Sequence, residues 1–327
     1  MAGSRVSAMV GILLGVLLLS PTAGAQQIVM DANSLTVRTG SANLLQYRYA
    51  NVPFKPYIKE LCTPSGINVL LDAPPDHLHH HGLMFACAVE GIDFWGEAVG
   101  PAGGHFDPQP GKQQHDGFRD EAVTELRGHR QARFRESVLW LSRGGTRMLS
   151  ENRSITVSRI GTPEATVLTW ESSVYPLWSR ITEKPVTLSG SHYHGLGLRF
   201  IRSMDATGEF RNPDNDSGVV FRGEERLTRS RWCAYTAQAD GKTVTVAMFD
   251  LPANPRHPAT WFTMAKPFAY MSATLRLHEQ PLELDKGSRR LTLRYGVALW
   301  DGRPEMERIE AVYKEWVKMT WWEVELP

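Results

Sequence analysis

Apolar and polar residues alternate with a period of two along most of this chain. Leu44–Ala50, Leu83–Glu90, Ala132–Leu141, Arg147–Ile160 and Thr166–Trp178 carry β-branched or aromatic residues in strand-like runs. The texture returns in Gly195–Arg202, Arg231–Gln238, Thr243–Phe249, Tyr270–Leu277 and Leu291–Leu299. Side chains two apart share one face of a strand, so these runs predict strands with one face turned to a core. Asp240-Gly241, between two such runs, predicts a tight hairpin. Asn212–Gly218, rich in Asp, Asn, Pro and Gly, predicts a loop. The period changes once: after Pro304, the residues Met306, Ile309, Tyr313, Trp316 and Val317 fall on one helical stripe. The helical crossovers that parallel strands require are missing. The pattern therefore predicts an all-β protein, a large antiparallel β-sandwich with one C-terminal helix. No repeat, linker or break in composition divides residues 26–327, which read as a single domain.

The start of the chain is different. Arg5, the apolar run Ala8–Leu19 and Ala23-Gly24-Ala25 have the three parts of a secretory signal peptide cleaved before Gln26. That run is too short to span a bilayer, which takes about 20 residues. The expectation is an exported protein, periplasmic or extracellular, with no stable membrane anchor after cleavage. Removing residues 1–25 takes away Arg5 and no acid, leaving 35 basic against 35 acidic side chains. With no basic excess to follow a phosphate backbone, nucleic acid is not an expected partner. Gly241-Lys242-Thr243 resembles the tail of a phosphate loop, but Thr236 stands where its first glycine is required. Three cysteines, Cys62, Cys87 and Cys233, allow at most one bridge and read as small buried hydrophobes.

Candidate chemistry is concentrated in Asp76-His77-Leu78-His79-His80-His81-Gly82, which holds four of the eleven histidines. Gly91-Ile92-Asp93-Phe94-Trp95-Gly96-Glu97 follows closely. Imidazole donates, accepts or binds metal near neutral pH, so such a cluster points to use. If the first segment is extended, His77, His79 and His81 share one face and His80 the other. His192 and His194 repeat the His-x-His spacing before Gly195. The dense histidines need partners, which predicts that Asp76–Gly82 lies at one end of a concave sheet within reach of His192 or His194.

These residues also carry a resemblance. Lys55-Pro56-Tyr57, Thr63-Pro64-Ser65-Gly66, the aspartate–histidine segment and Gly91–Trp95 resemble the signature of a bacterial exported family, the PmoA-like family. Asn254-Pro255-Arg256-His257-Pro258 with Trp261-Phe262, and Leu291–Tyr295, extend the likeness over nearly the whole chain after residue 25. The family pattern reads His-His-Arg-Gly where this chain has His80-His81-Gly82, so His81 stands in for a cation. The resemblance implies a sandwich similar to the galactose-mutarotase-like supersandwich, a fold that often handles sugars. The family's label implies a metal-dependent oxidoreductase as another reading.

Taken together, these features lead to an expected carbohydrate or sugar-derived acid as small-molecule partner, handled by acid–base chemistry of the epimerase, lyase or hydrolase kind. Catalytic candidates are His79, His80 and His194 with Asp93 and Glu97. Asp76, His77, His81, Trp95, His192 and Tyr193 are substrate-binding candidates, with Arg199, Arg256, His257 and Trp261. Aromatic faces suit sugar C–H surfaces, and Arg199 or Arg256 suits an oxyanion or carboxylate. Asp301-Gly302 reads as a strand-ending turn. No cofactor is predicted; a divalent metal, if present, would be held by His79, His81, His192 and His194. His105 and His115 lie in a Gly/Pro-rich stretch, Pro101–Gly117, that reads as a cleft cover or a solvated insertion. A non-catalytic carbohydrate-binding protein is the alternative from another class.

Overall fold

The computed structural model describes residues 26–97, 110–126, 128–162, 164–177, 184–285 and 290–325. Residues 1–25, where a signal segment is expected, and His105 and Trp178 lie outside the described residues. The architecture is the expected one: large antiparallel sheets packed as a sandwich, with a single C-terminal helix.

A ten-stranded sheet runs from Gln26–Met30 at one edge to Val219–Arg222 at the other. Its centre is the sequence of neighbours Leu83–Ala86, Gly195–Arg199, Tyr270–Thr274, Thr260–Met264 and Glu225–Arg229. An eight-stranded sheet is built around Trp232–Ala239, Lys242–Asp250, Leu291–Asp301, Ala165–Pro176 and Arg147–Ile160. A four-stranded sheet includes Val186–Ser189, Ala88–Val89 and Ile92–Asp93. The expected run Leu83–Glu90 is thus divided between two sheets, with Cys87 at the break. Asp240-Gly241 forms the predicted two-residue turn: Ala239 pairs with Lys242, and both turn residues have positive φ, as a type I′ hairpin requires.

One apolar cluster fills the space between the two large sheets. Phe85 meets Trp140 at 5.9 Å and Tyr47 meets Phe134 at 5.1 Å, one ring of each pair coming from each sheet. A polar hub is enclosed among them. Arg153, with a fully buried side chain, donates to both oxygens of Glu151, to Gln113, to the Tyr47 hydroxyl and to the Pro56 carbonyl. A buried cation is tolerated only when its donors are used in this way. All three cysteines are buried and free.

The helix Met306–Glu325 covers the far face of the eight-stranded sheet. Ile309, Val312, Tyr313, Trp316 and Met319 form its buried stripe. They pack on Val167, Phe249, Ala298 and Trp300, while the alternate residues Val297 and Leu299 face the inter-sheet core. Gly296 leaves room for the indole of Trp316, since a Cβ there would lie 2.9 Å from the ring. Each fully buried large side chain in this layer contributes ~1.5–3 kcal/mol.

Candidate functional site

The alternation in Gly195-Leu196-Gly197-Leu198-Arg199 decides where a pocket can form. Leu196 and Leu198 point into the inter-sheet core, so the two glycines and Arg199 lie on the other face of the ten-stranded sheet. A Cβ at Gly197 would collide with the Tyr270 hydroxyl and lie 2.9 Å from Trp95. Its absence lets both rings settle over the sheet. Above them is a cavity of about 110 Å³. His77, His79 and His80 line one side; Trp95, Tyr193 and Tyr270 line another; Phe262, Met264, Phe268, Arg222 and Glu225 complete it. The first histidine segment and Tyr193 of the second therefore border one cavity on a sheet face, while His192 and His194 do not line it.

The first segment is not extended, which corrects the expected faces. His77 N–H donates to Pro74 O at 2.8 Å and His80 N–H to His77 O at 2.9 Å, two successive turns. The turns stack His77 on His80, with ring centroids 4.7 Å apart, and set His79 against His80 at 4.5 Å. His81, predicted beside His77 and His79, is turned away instead. Burial pushes the His80 pKa well below its ordinary value, helped by the positive charge of His79, His77, Arg199 and Lys55 nearby. His80 is thus a neutral imidazole at pH 7, and its Nδ1 has no hydrogen-bond partner among the described residues.

His81 belongs to a buried network behind the pocket. Its Nδ1 lies 2.8 Å from Asp72 and its Nε2 3.1 Å from Glu97. Lys55 Nζ donates to Glu97 at 2.7 Å and to the Trp95 carbonyl at 3.0 Å, and Tyr57 donates to Asp72 at 2.9 Å. Burial alone would lower the His81 pKa, but its hydrogen bonds to Asp72 and Glu97 outweigh that and raise it. Burial would raise Glu97; the charge of Lys55 and the bond from His81 instead hold it at about 2. Glu97 and His81 are therefore placed as supports of the Trp95 loop, not as groups lining the cavity. Asp93 is a support too, since its carboxylate accepts Trp95 N–H at 2.8 Å and Gly96 N–H at 2.9 Å.

A pH dependence follows from the signs. His81 has a raised pKa in the folded state, so its contribution is complete below its ordinary value of 6.5 and is lost as pH rises through the folded value. Glu97 has a lowered one, so its contribution is complete above 4.5 and is lost as pH falls towards about 2. The stability difference between the wild type and His81→Gln, from urea unfolding, should be largest between these limits and shrink as pH rises above them. A difference independent of pH up to pH 9 would show that His81 is not held as an imidazolium.

The second segment is also a turn, with His194 N–H donating to Ser191 O at 3.2 Å. His194 stacks on Trp95 at 5.2 Å, nearly parallel, and Gly190 gives it room. His192 contacts Ser191 through Nδ1 and Glu225 through Nε2, both at 3.1 Å. The four histidines that a metal, if present, would have needed are not assembled, because His81 and His192 have both ring nitrogens committed to other groups. Among the described residues no three His, Cys, Asp or Glu side chains are grouped to hold a metal ion.

Several substrate-binding candidates fall elsewhere. Trp261 is wholly buried, faces the inter-sheet core and donates to Ser230 O at 2.8 Å; its neighbour Phe262 takes the pocket face. Arg256 clamps the carbonyls of Leu275, Gln280 and Pro281. His257 is held 2.6 Å from buried Asp250. Arg199 lies fully buried over the Phe268 ring at 3.9 Å, behind the cavity wall. Asp76 contacts His77 at 3.0 Å and Arg202 at 2.5 Å, orienting the turn from outside the cavity. The strand ends at Asp301, as expected, but its carboxylate accepts from the distant Thr63 and Ser65. His115 lies in the long edge strand Lys112–Leu126, so that part of the Gly/Pro-rich stretch is a strand.

Comparison with family models matches residues 34–314 to a family described as "Family of unknown function (DUF6807)". The chain belongs to this family. No curated protein matches it. The DUF6807 match spans every residue of the cavity, both histidine turns and the network from Lys55 to Glu97. Five lining residues of this DUF6807 protein, Arg222, Glu225, Met264, Phe268 and Tyr270, carry no mark in the local sequence. Glu225 becomes visible only through its contact with His192, 33 residues away.

Proposed function

We propose that the cavity binds a carbohydrate or sugar-derived acid and that His79 and His80 move a proton on it. One observation carries this reading: residues that line an aromatic pocket carry buried polar atoms without partners. His80 Nδ1, Trp95 Nε1 and Tyr270 Oη are buried and make no hydrogen bond among the described residues. Leaving such a group unpaired costs about 1–3 kcal/mol, which a hydroxyl-rich ligand offsets. The faces of Trp95, Tyr193 and Phe262 suit the C–H surfaces of a sugar ring. A neutral imidazole accepts at one nitrogen and donates at the other, so His80 suits proton movement at an anomeric or α-keto carbon. With Asp93 and Glu97 committed to support, Glu225 is the carboxylate of the site. The resemblance to sugar-handling sandwiches read from the sequence, and the export signal expected at residues 1–25, agree with the same reading.

Non-catalytic binding is the second reading, favoured by the state of Glu225, which contacts Arg222 at 2.7 Å and His192 at 3.1 Å. A glycan array finds the ligand, and NMR of the bound sugar then separates the two readings. Exchange or turnover accelerated by the wild type supports proton chemistry. Binding with no acceleration leaves a binding protein, and no glycan bound at all removes the proposal.

A further inference from the structure

Rings continue outward from the cavity without a break. Trp95 lies 5.4 Å from Tyr193, Tyr193 lies 5.0 Å from His192, and His192 stacks on Phe221 at 3.8 Å with 24° between planes. The row begins buried, with Trp95 at 1%, passes half-buried Tyr193 and buried His192, and ends at Phe221, which is 47% exposed. Phe221 lies on the hairpin of Val219–Arg222 and Glu225–Arg229, the outer edge of the ten-stranded sheet. The pairing slips between Val220 and Arg222, leaving Phe221 at a bulge. Bulges re-aim side chains beside binding sites. Here one face of the ring is set on His192. The hairpin is pinned to the pocket, since Glu225 bonds His192 and, with Arg222, lines the cavity. The His278 ring meets Phe221 edge-on at 5.9 Å and supplies a polar border.

We propose that Phe221 is a second sugar subsite, so that the ligand is a chain of two or more sugar units whose end unit enters the cavity. This rests on the carbohydrate reading above. A space of about 110 Å³ is below the usual 300–1,000 Å³ of a small-molecule pocket and suits a single ring. A fixed, half-exposed aromatic face next to its mouth is where the following unit would stack.

The experiment compares wild type, Phe221→Ala and Phe221→Trp on an array presenting each sugar alone and as homologous oligomers of increasing length. Wild-type affinity should rise from one unit to two. Phe221→Ala should lose about tenfold for two units and longer while binding single units unchanged, and Phe221→Trp should retain the gain. Equal wild-type affinity at all lengths, or an equal loss at all lengths in Phe221→Ala, overturns the subsite and leaves the cavity reading standing. A wild type that binds no glycan of any length removes both. Val219 and Val220 beside it are 75% and 52% exposed, so sedimentation of each variant is included. A wild-type dimer that Phe221→Ala dissociates without changing the glycan profile assigns the hairpin to self-association instead.

Discussion

Glu97→Ala is expected to lower stability by about 3–5 kcal/mol, the cost of breaking a buried ion pair from one side. The Lys55 ammonium has no exposed surface and, among the described residues, donates to Glu97 and the Trp95 carbonyl alone. Without the carboxylate it stays in the interior as a charge with one carbonyl for company. His81 would lose one of its two carboxylates at the same time. Lys55→Met should also be destabilising, but the pair Lys55→Met with Glu97→Met should recover much of the loss, because no lone ion is then buried. Urea unfolding of the wild type, both single variants and the double variant measures this cycle. A Glu97→Ala protein within 1 kcal/mol of wild type that no longer binds its ligand would return Glu97 to the catalytic group.

The same residues show how far a sequence can be read. Arg147–Ile160 is found with both boundaries because its apolar positions Leu149, Ile155 and Val157 alternate with Ser150, Ser154, Thr156 and Ser158 on the other face. Lys112–Leu126 is an edge strand exposed on much of both faces, so it has no such contrast, and its first part reads as loop. Parity explains both the success and the failure at the site. In Gly195–Arg199 the backbone is extended, and the glycine–leucine alternation maps directly onto pocket and core. In Asp76–Gly82 the two-residue spacing means nothing, because Pro74-Pro75 open a pair of turns that group His77 with His80. The prolines were the available signal, since they favour turns over strands. Trp261 and Phe262 are adjacent, so one had to face the core, and local sequence does not say which. Position 81 itself is set by carboxylates distant in the chain. Asp72 and Glu97 flank that site and raise the His81 pKa.

His80→Ala is expected to abolish ligand binding, or to slow any proton transfer by 10²–10⁴-fold, while costing less than about 2 kcal/mol of stability. The contrast with Glu97 is one of partners. His80 Nδ1 bonds nothing among the described residues, so removing the ring strands no buried group opposite that nitrogen. The space left opens into a cavity already lined by His77, His79 and Tyr270, which solvent can fill. Protonation of His80 is opposed first by burial and then by the positive charge of His79, His77, Arg199 and Lys55. In the wild type, binding that depends on neutral His80 should therefore persist as pH falls through 6.5 and fail only well below it. Calorimetric titration of the glycan found on the array, from pH 4 to 8, checks both halves. A midpoint at 6.5 would give the proton chemistry to another histidine. A His80→Ala protein that cannot fold, beside a His79→Ala protein that folds and binds normally, would make the turn a structural brace and leave the cavity without its donor.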